Sequence, residues 1–452
     1  MVGIRVQTLI SLLLVLGILP LTAIGARQPY DVRKVIQAFR QPHEDLVVLC
    51  AHRGLRALVL LFFLCNLNDD STRWNGTTEN SRDAYFRASE AGVECIETDI
   101  HISLDGYLPM IHDTGLGRET DVGEATGRAA YNPFTGKGYN PSVNNSTFKG
   151  FIEHLHLRDE GGRVHDETVP TLPQIVQSIY DSGTNVVLQL DFKDEEAVEP
   201  AYWQLKNLTN AAGVPANEWC IYKLQATWYR TPEEFEALPW VQDAFVSGIQ
   251  LAFIPVYNPN DEVHFDTLAS LQGFLKTNYT ISAEIELYSP NGPLQALQDH
   301  VATLQPGGNS MFRTSGIFYA IGDFVTPTTA RRTFFDTANY TLPADERVNN
   351  SVFVFRENRA PVLLDSIVGN MSTDGHDYRS NFDWILKTGF DWVITDTPDE
   401  WDVRLRGQGK RNIKHMLADG QKEADQALVS SWYKNKKRNS DRRHARDFEG
   451  TA

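Results

Sequence analysis

A chain of 452 residues with 42% hydrophobic residues can bury a large core, in one big barrel or in two or three ordinary domains. Its formal net charge of -16 offers no positive field to a phosphate backbone and so excludes a nucleic-acid binder. Four cysteines, Cys50, Cys65, Cys95 and Cys220, are too few and too scattered for a disulfide scaffold or a zinc site, and buried thiols are their default.

Residues 1–26 read as a secretory signal peptide. Arg5 precedes an apolar run from Leu9 to Leu19, and Ala23-Ile24-Gly25-Ala26 offers small residues for cleavage. The run is short for a membrane span, although it would also serve as an uncleaved anchor. Asn-x-Ser/Thr sequons at Asn75, Asn144, Asn145, Asn207, Asn278, Asn339, Asn349 and Asn370 point the same way, since each is an acceptor only in a secretory compartment. The expectation is a secreted or surface glycoprotein.

Asp31 to Phe39 has helical character, and one domain is expected over 40–403. Leu46 to Ala51 is a short continuous apolar run of the kind that forms buried parallel strands, and it ends in His52-Arg53-Gly54. Residues 57–73 then interrupt the connection with an apolar stretch, Ala57 to Cys65, followed by a polar one. Their removal would join Arg56 to Trp74 in an ordinary strand-to-helix loop that reaches Glu79. Three readings stand: an in-frame retained intron, a lipid-dipping loop at the mouth of a site, and ordinary core packing.

Arg82 to Ala91 is a plausible helix, and Val93 to Ile100 alternates as a strand should. Residues two apart on a strand share a face, so Glu97 and Asp99 point together. Alone, such a pair would fit the wet face of an exposed strand. Asp105-Gly106 supplies a tight turn into Leu108 to Ile111, read as another strand, which delivers His112-Asp113 to the same rim. Thr114 to Ser146 is Gly- and Asn-rich, a loop or small insertion. A helix follows from Val169-Pro170-Thr171 to about Asp181, and the strand Asn185 to Lys193 ends in Asp191 and Lys193, again two apart.

Further strands are expected at Trp219 to Leu224, Gly248 to Tyr257, Thr280 to Leu287, Ser351 to Phe355 and Gly389 to Pro398, with a helix over Leu294 to Leu304. Nine candidate strands alternating with helices predict an α/β fold, a (β/α)8 TIM barrel with a loop insertion after the third strand. One candidate is surplus and is assigned to the three between Trp219 and Leu287. From Arg404 the apolar periodicity fades, and Lys434 to Arg446 collects basic residues against a single Asp441. Residues 404–452 therefore read as a basic, disordered tail.

In a parallel barrel the strand ends meet at one face, so His52, Glu97, Asp99, His112, Asp191 and Lys193 can surround one pocket, with Glu79 on a nearby loop. Carboxylate oxygens select a hard divalent cation, Mg2+ or Ca2+, over zinc. Two histidines beside such an ion can share general acid and base work. Lys193, Arg53 and the ion favour an anionic phosphate ester.

These residues, in this order, resemble the glycerophosphodiester phosphodiesterase family. The resemblance is carried by His52-Arg53-Gly54, Glu79-Asn80-Ser81, Glu97-Thr98-Asp99, Asp105-Gly106 before His112-Asp113, Pro170-Thr171-Leu172, Asp191-Phe192-Lys193 and Ile394-Thr395-Asp396-Thr397-Pro398. It is clear from Leu46 to Asp194, resumes near Trp392 and is faint between. It implies a barrel that hydrolyses a phosphodiester, with one divalent ion held by Glu97, Asp99 and Asp191. His52 and His112 would be the acid/base pair and Lys193 would lie on the phosphate side. Asp191 stands where the family commonly has glutamate, which would weaken or shift the ion.

The substrate implied is a small or lipid-derived phosphodiester, with room for peripheral membrane contact and no protein partner. The related spider-venom-type phospholipases D, which remove head groups from sphingolipids and lysolipids, are the enzymatic alternative. A secreted non-catalytic barrel glycoprotein is the third. Cys50 and Cys95 each lie two residues before a site residue on strands expected to be neighbours, which leaves a bridge between them open.

Overall fold

The computed structural model describes residues 30–41, 43–55, 77–131, 136–159, 163–287, 290–304, 313–317, 382–395 and 398–419. Within them lie ten strands: β1 (Val48–Ala51), β2 (Cys95–Ile100), β3 (His156–Arg158), β4 (Val164–Thr168), β5 (Val187–Phe192), β6 (Cys220–Gln225), β7 (Phe253–Tyr257), β8 (Ser282–Ile285), β9 (Arg313–Ile317) and β10 (Trp392–Thr395). Eight form a closed parallel barrel in the order β1-β10-β9-β8-β7-β6-β5-β2. Strands covered by side chains within and helices without are shielded from water on both faces, and every residue of β1, β2, β5, β7, β8 and β10 is buried.

Seven of the nine strands expected from the sequence enter the ring, and the three between Trp219 and Leu287 are all among them. The surplus candidate is instead Leu108 to Ile111, where Pro109 makes an isolated antiparallel bridge to Thr171. The insertion thus follows the second ring strand. Ser351 to Phe355 lies outside the described residues. The ring strand β9, Arg-Thr-Ser-Gly-Ile, was not expected because a single apolar residue gives no burial pattern to read.

The insertion is a packed unit rather than an open loop. Ile111, Leu116, Val122, Val143, Phe148, Ile152, Leu155, Leu157 and Val169 form their own buried cluster, and β3 pairs with β4 in an antiparallel hairpin. The chain returns to the ring through the helix Leu172–Ser182, whose start is fixed by a capping box in which Gln174 Oε1 accepts from the Thr171 N–H at 2.9 Å.

Two further expectations are corrected. Residues 404–419 are folded, not tail. The helix Pro398–Gly407 leads to Arg411, which is 3% exposed and bonds Glu94 at 2.6 and 2.8 Å. A short 3-10 turn, Ile413–Met416, then packs on the first helix, Val32–Arg40. A buried arginine needs a carboxylate within reach, and Glu94 meets that need from the residue before β2. Cys50 and Cys95, opposite one another on β1 and β2, are joined by a disulfide; among the described residues Cys220 is a buried free thiol. Residues 1–26, 57–73 and 420–452, with Asn75, Asn339, Asn349 and Asn370, lie outside the described residues. Asn144, Asn145, Asn207 and Asn278 are exposed.

Candidate active site

At the C-terminal mouth β1 turns through His52, Arg53 and Gly54. Arg53 and Gly54 adopt the left-handed backbone, with φ of 56° and 87°. A Cβ on Gly54 would meet the Cβ and carbonyl carbon of Ala84 at 2.7 and 2.9 Å, so glycine is required for the helix Arg82–Glu90 to approach. That helix is capped by Ser81, whose Oγ accepts from the Ala84 N–H at 3.1 Å. The residue before the cap, Asn80, also has positive φ, at 53°. It donates to Asp99 Oδ2 at 2.9 Å and accepts from the Asp99 N–H at 3.2 Å. The Glu79-Asn80-Ser81 motif therefore starts a helix and braces Asp99 together.

Glu97, Asp99 and Asp191 each offer one carboxylate oxygen, and the three oxygens lie within 4.8 Å of one another. Register explains this, because Asp99 on β2 stands opposite Asp191 on β5 and alternation turns Glu97 to the same side. Two lysines close the cluster. Lys193 reaches Asp99 at 2.8 Å and Asp191 at 3.0 Å; Lys223 reaches Asp191 at 2.9 Å, Glu284 at 3.3 Å and Glu97 at 3.7 Å.

The electrostatics is uneven. Against burial, which pushes it up, Lys193 and Arg53 hold the Asp99 carboxyl well below its ordinary range. Asp191 is likewise lowered, to about 2, by Lys193 and Lys223 against its own burial. Glu97 goes the other way: burial, and then Asp99, push it well above the carboxylate range. Burial also raises Glu284, to about 7. The converging carboxylate oxygens of Glu97, Asp99 and Asp191 are a buried set of hard donors whose chemistry fits a divalent cation.

The histidines flank this floor. His52 is 3% exposed, with Nε2 at 4.0 Å from Glu97 Oε2. Arg53 donates its backbone N–H to Glu97 at 3.1 Å and lies 3.1 Å from Asp99 through Nε, while Nη1 bonds Glu79 at 3.2 Å. His112 arrives on the insertion rather than on a ring strand. Its Nδ1 meets Asp113 Oδ1 at 2.9 Å, and burial together with Arg53 lowers its pKa. The Nδ1–H tautomer that this bond favours leaves Nε2 with a lone pair.

All eight chemical residues expected from the sequence, His52, Arg53, Glu79, Glu97, Asp99, His112, Asp191 and Lys193, belong to this one region. Lys223, Glu284, Arg118 and Glu119 also belong to this region and are not among the residues expected from the sequence. Lys223 and Glu284 sit inside apolar strands rather than at their ends. The available signal was charge in a run that should be wholly apolar, Ile-Tyr-Lys-Leu and Ala-Glu-Ile. Arg118 and Glu119 lie in a segment read as polar loop.

Residues 52–223 match the model of the Glycerophosphoryl diester phosphodiesterase family. No curated protein matches the chain. Among solved structures, a glycerophosphoryl diester phosphodiesterase from Parabacteroides distasonis is similar at 14% identity, with 87% of this chain and 95% of that chain covered and a TM-score of 0.44. One from Thermotoga maritima is 15% identical over 80% of this chain and 100% of that one, with a TM-score of 0.39. A phosphodiesterase from Oleispira antarctica, solved with the product sn-glycerol-3-phosphate, is 15% identical over 78% and 94%, also with a TM-score of 0.39.

Proposed function

We propose that this chain, a member of the glycerophosphoryl diester phosphodiesterase family over residues 52–223, hydrolyses glycerophosphodiesters to an alcohol and glycerol phosphate with the help of a divalent cation. The observation that carries this is the convergence of the Glu97, Asp99 and Asp191 oxygens, within 4.8 Å of one another, beside Lys193 at the barrel mouth. When bound, the ion would supply positive charge to the phosphoryl oxygens, where charge accumulates as the diester is attacked.

The chain's own groups do the rest. Lys193, 23% exposed along its side chain where Arg53 and Lys223 are 1% exposed, binds the phosphate. Arg53 is turned toward Asp99 and Glu79 and orders the carboxylates. His112, held by Asp113 through Nδ1, accepts a proton at Nε2 from the attacking hydroxyl or water. His52, beside Glu97, gives a proton to the departing oxygen. A substrate hydroxyl next to the phosphate can attack first, and water then opens the cyclic ester.

Secretion is part of the proposal, supported by the N-terminal apolar run and the sequons. No described helix is long and apolar enough to cross a membrane. The test is an assay panel with purified protein on glycerophosphocholine, lysophosphatidylcholine and sphingomyelin, with and without chelator. Chelator-sensitive release of glycerol phosphate from the first is expected. Choline release from the two lipids alone would favour the phospholipase D-like alternative, and inactivity on all three with no ion bound would favour the non-catalytic one.

A further inference from the structure

The insertion carries a buried guanidinium that the chemistry above does not use. Arg118 is 2% exposed. Its Nε and Nη2 donate to the two Asp113 oxygens at 2.6 and 2.9 Å, and Nη2 also reaches Glu79 Oε1 and Glu119 Oε1 at 2.7 Å each. Asp113 in turn faces His112 Nδ1 at 2.9 Å. Glu119 accepts the backbone N–H of His112 at 3.1 Å and of Asp113 at 2.8 Å. On the far side, Glu79 accepts from Arg53 at 3.2 Å. A continuous set of contacts thus runs from the end of β1 through Arg53, Glu79, Arg118 and Asp113 to His112.

This matters because His112 has no ring strand under it. His52 inherits its place from β1, whereas His112 belongs to a unit with a separate hydrophobic cluster. Its distance from the carboxylate floor must therefore be fixed across a boundary between two packed bodies. We propose that Arg118 is the positioning residue for this reaction: it ties the His112–Asp113 dyad to Glu79 and thereby fixes the orientation of His112 relative to the metal floor. This rests on His112 serving as the acid/base group. A planar fork with several fixed donors suits the task, and a lysine, with one rotating ammonium, cannot hold two oxygens of Asp113 and reach two further carboxylates. The plain alternative is that Arg118 neutralises buried acids and does nothing for catalysis.

The two are separated with full-length protein carrying Arg118→Lys, Arg118→Gln, Asp113→Asn, and Arg118→Lys with Asp113→Asn. On glycerophosphocholine, R118K and R118Q should lower kcat by about 10²-fold, the scale of one misplaced acid/base group, with KM within about threefold. The double variant should lose no more than D113N alone, because both changes break one link. Nitrogen-15 spectra of histidine-labelled protein should show His112 as the Nδ1–H tautomer in the parent and as a mixture in R118K. Parental kcat in a folded R118K, or losses that multiply in the double variant, would overturn the proposal. So would parental kcat in D113N, whatever the Arg118 variants do, since the link passes through Asp113. If the parent cleaves none of the diesters, the proposed function fails and the spectra still decide: an unchanged His112 tautomer in R118K rejects the positioning role.

Discussion

Asp191 and Lys223 stand opposite one another on adjacent strands and are ion-paired at 2.9 Å, with the lysine side chain 1% exposed. Lys223 also faces Glu97 and Glu284, so one ammonium serves three buried carboxyls. Removing one partner of such a buried set leaves charge uncompensated, which typically costs about 3–5 kcal/mol. Lys223→Met should therefore be less stable than the parent by about that amount in urea unfolding with chelator present. Added Mg2+ or Ca2+ should narrow the gap, because an ion replaces part of the lost charge. A K223M protein as stable as the parent without metal would show that the cluster is not short of cation.

Arg411 and Glu94 are bonded at 2.6 and 2.8 Å at the foot of the barrel. Glu94 Oε1 also accepts the Leu49 N–H at 2.8 Å. Truncation after Val403 deletes the arginine and should leave protein that unfolds about 5 °C lower or aggregates, on the order expected for losing ~3–5 kcal/mol. Truncation after Gly420 should leave the melting temperature within about 2 °C of the parent. Equal melting temperatures for both truncations would remove the pair from the fold's support.

Acid sensitivity should appear at Asp402, which is bonded to Arg406 at 2.7 Å and Arg411 at 2.9 Å. Against its burial, these arginines lower its pKa. The folded state thus holds the carboxylate more strongly than the unfolded chain does. The stabilisation is fully present above the unfolded value, about 4, and is lost as pH falls through the folded one. Asp402→Asn should cost stability at pH 7 and show a shallower loss between about pH 5 and 3 than the parent. Parallel stability curves for the two proteins would contradict this.

Asn144, Asn145, Asn207 and Asn278 are all exposed, as acceptors must be. Protein made through a eukaryotic secretory pathway should lose mass on enzymatic removal of N-linked glycans, with peptides mapping to these positions. Unmodified asparagine at all four would count against passage through that pathway.

Much of the site was legible because ring strands carry a two-residue alternation that places Glu97 with Asp99 and aims Asp191 beside them. The surrounding elements were less so, for physical reasons. Leu108 to Ile111 looks like a ring strand because a short apolar run is the same whether it joins the ring or only packs against the core, as Leu108 and Met110 do here. Arg313–Ile317 hides because the sequence Arg-Thr-Ser-Gly-Ile carries no apolar run, while its backbone pairs in register with β8. Lys223 and Arg411 escape because their partners, Asp191 and Glu94, are 32 and 317 residues away and meet them only in the folded chain, the first across two paired strands. The Cys50–Cys95 disulfide turns on a register of neighbouring strands that the sequence suggests but does not specify.

The most direct measurement of the central claim is the rate of glycerol phosphate release from glycerophosphocholine by the parent, His52→Ala and His112→Ala proteins, each with divalent cation and with chelator. The parent should turn over with cation and stop with chelator, and each folded histidine variant should be slower by about 10²-fold or more. Histidine variants that fold and match the parent, or a parent indifferent to chelator, would contradict a metal-assisted, two-histidine phosphodiesterase.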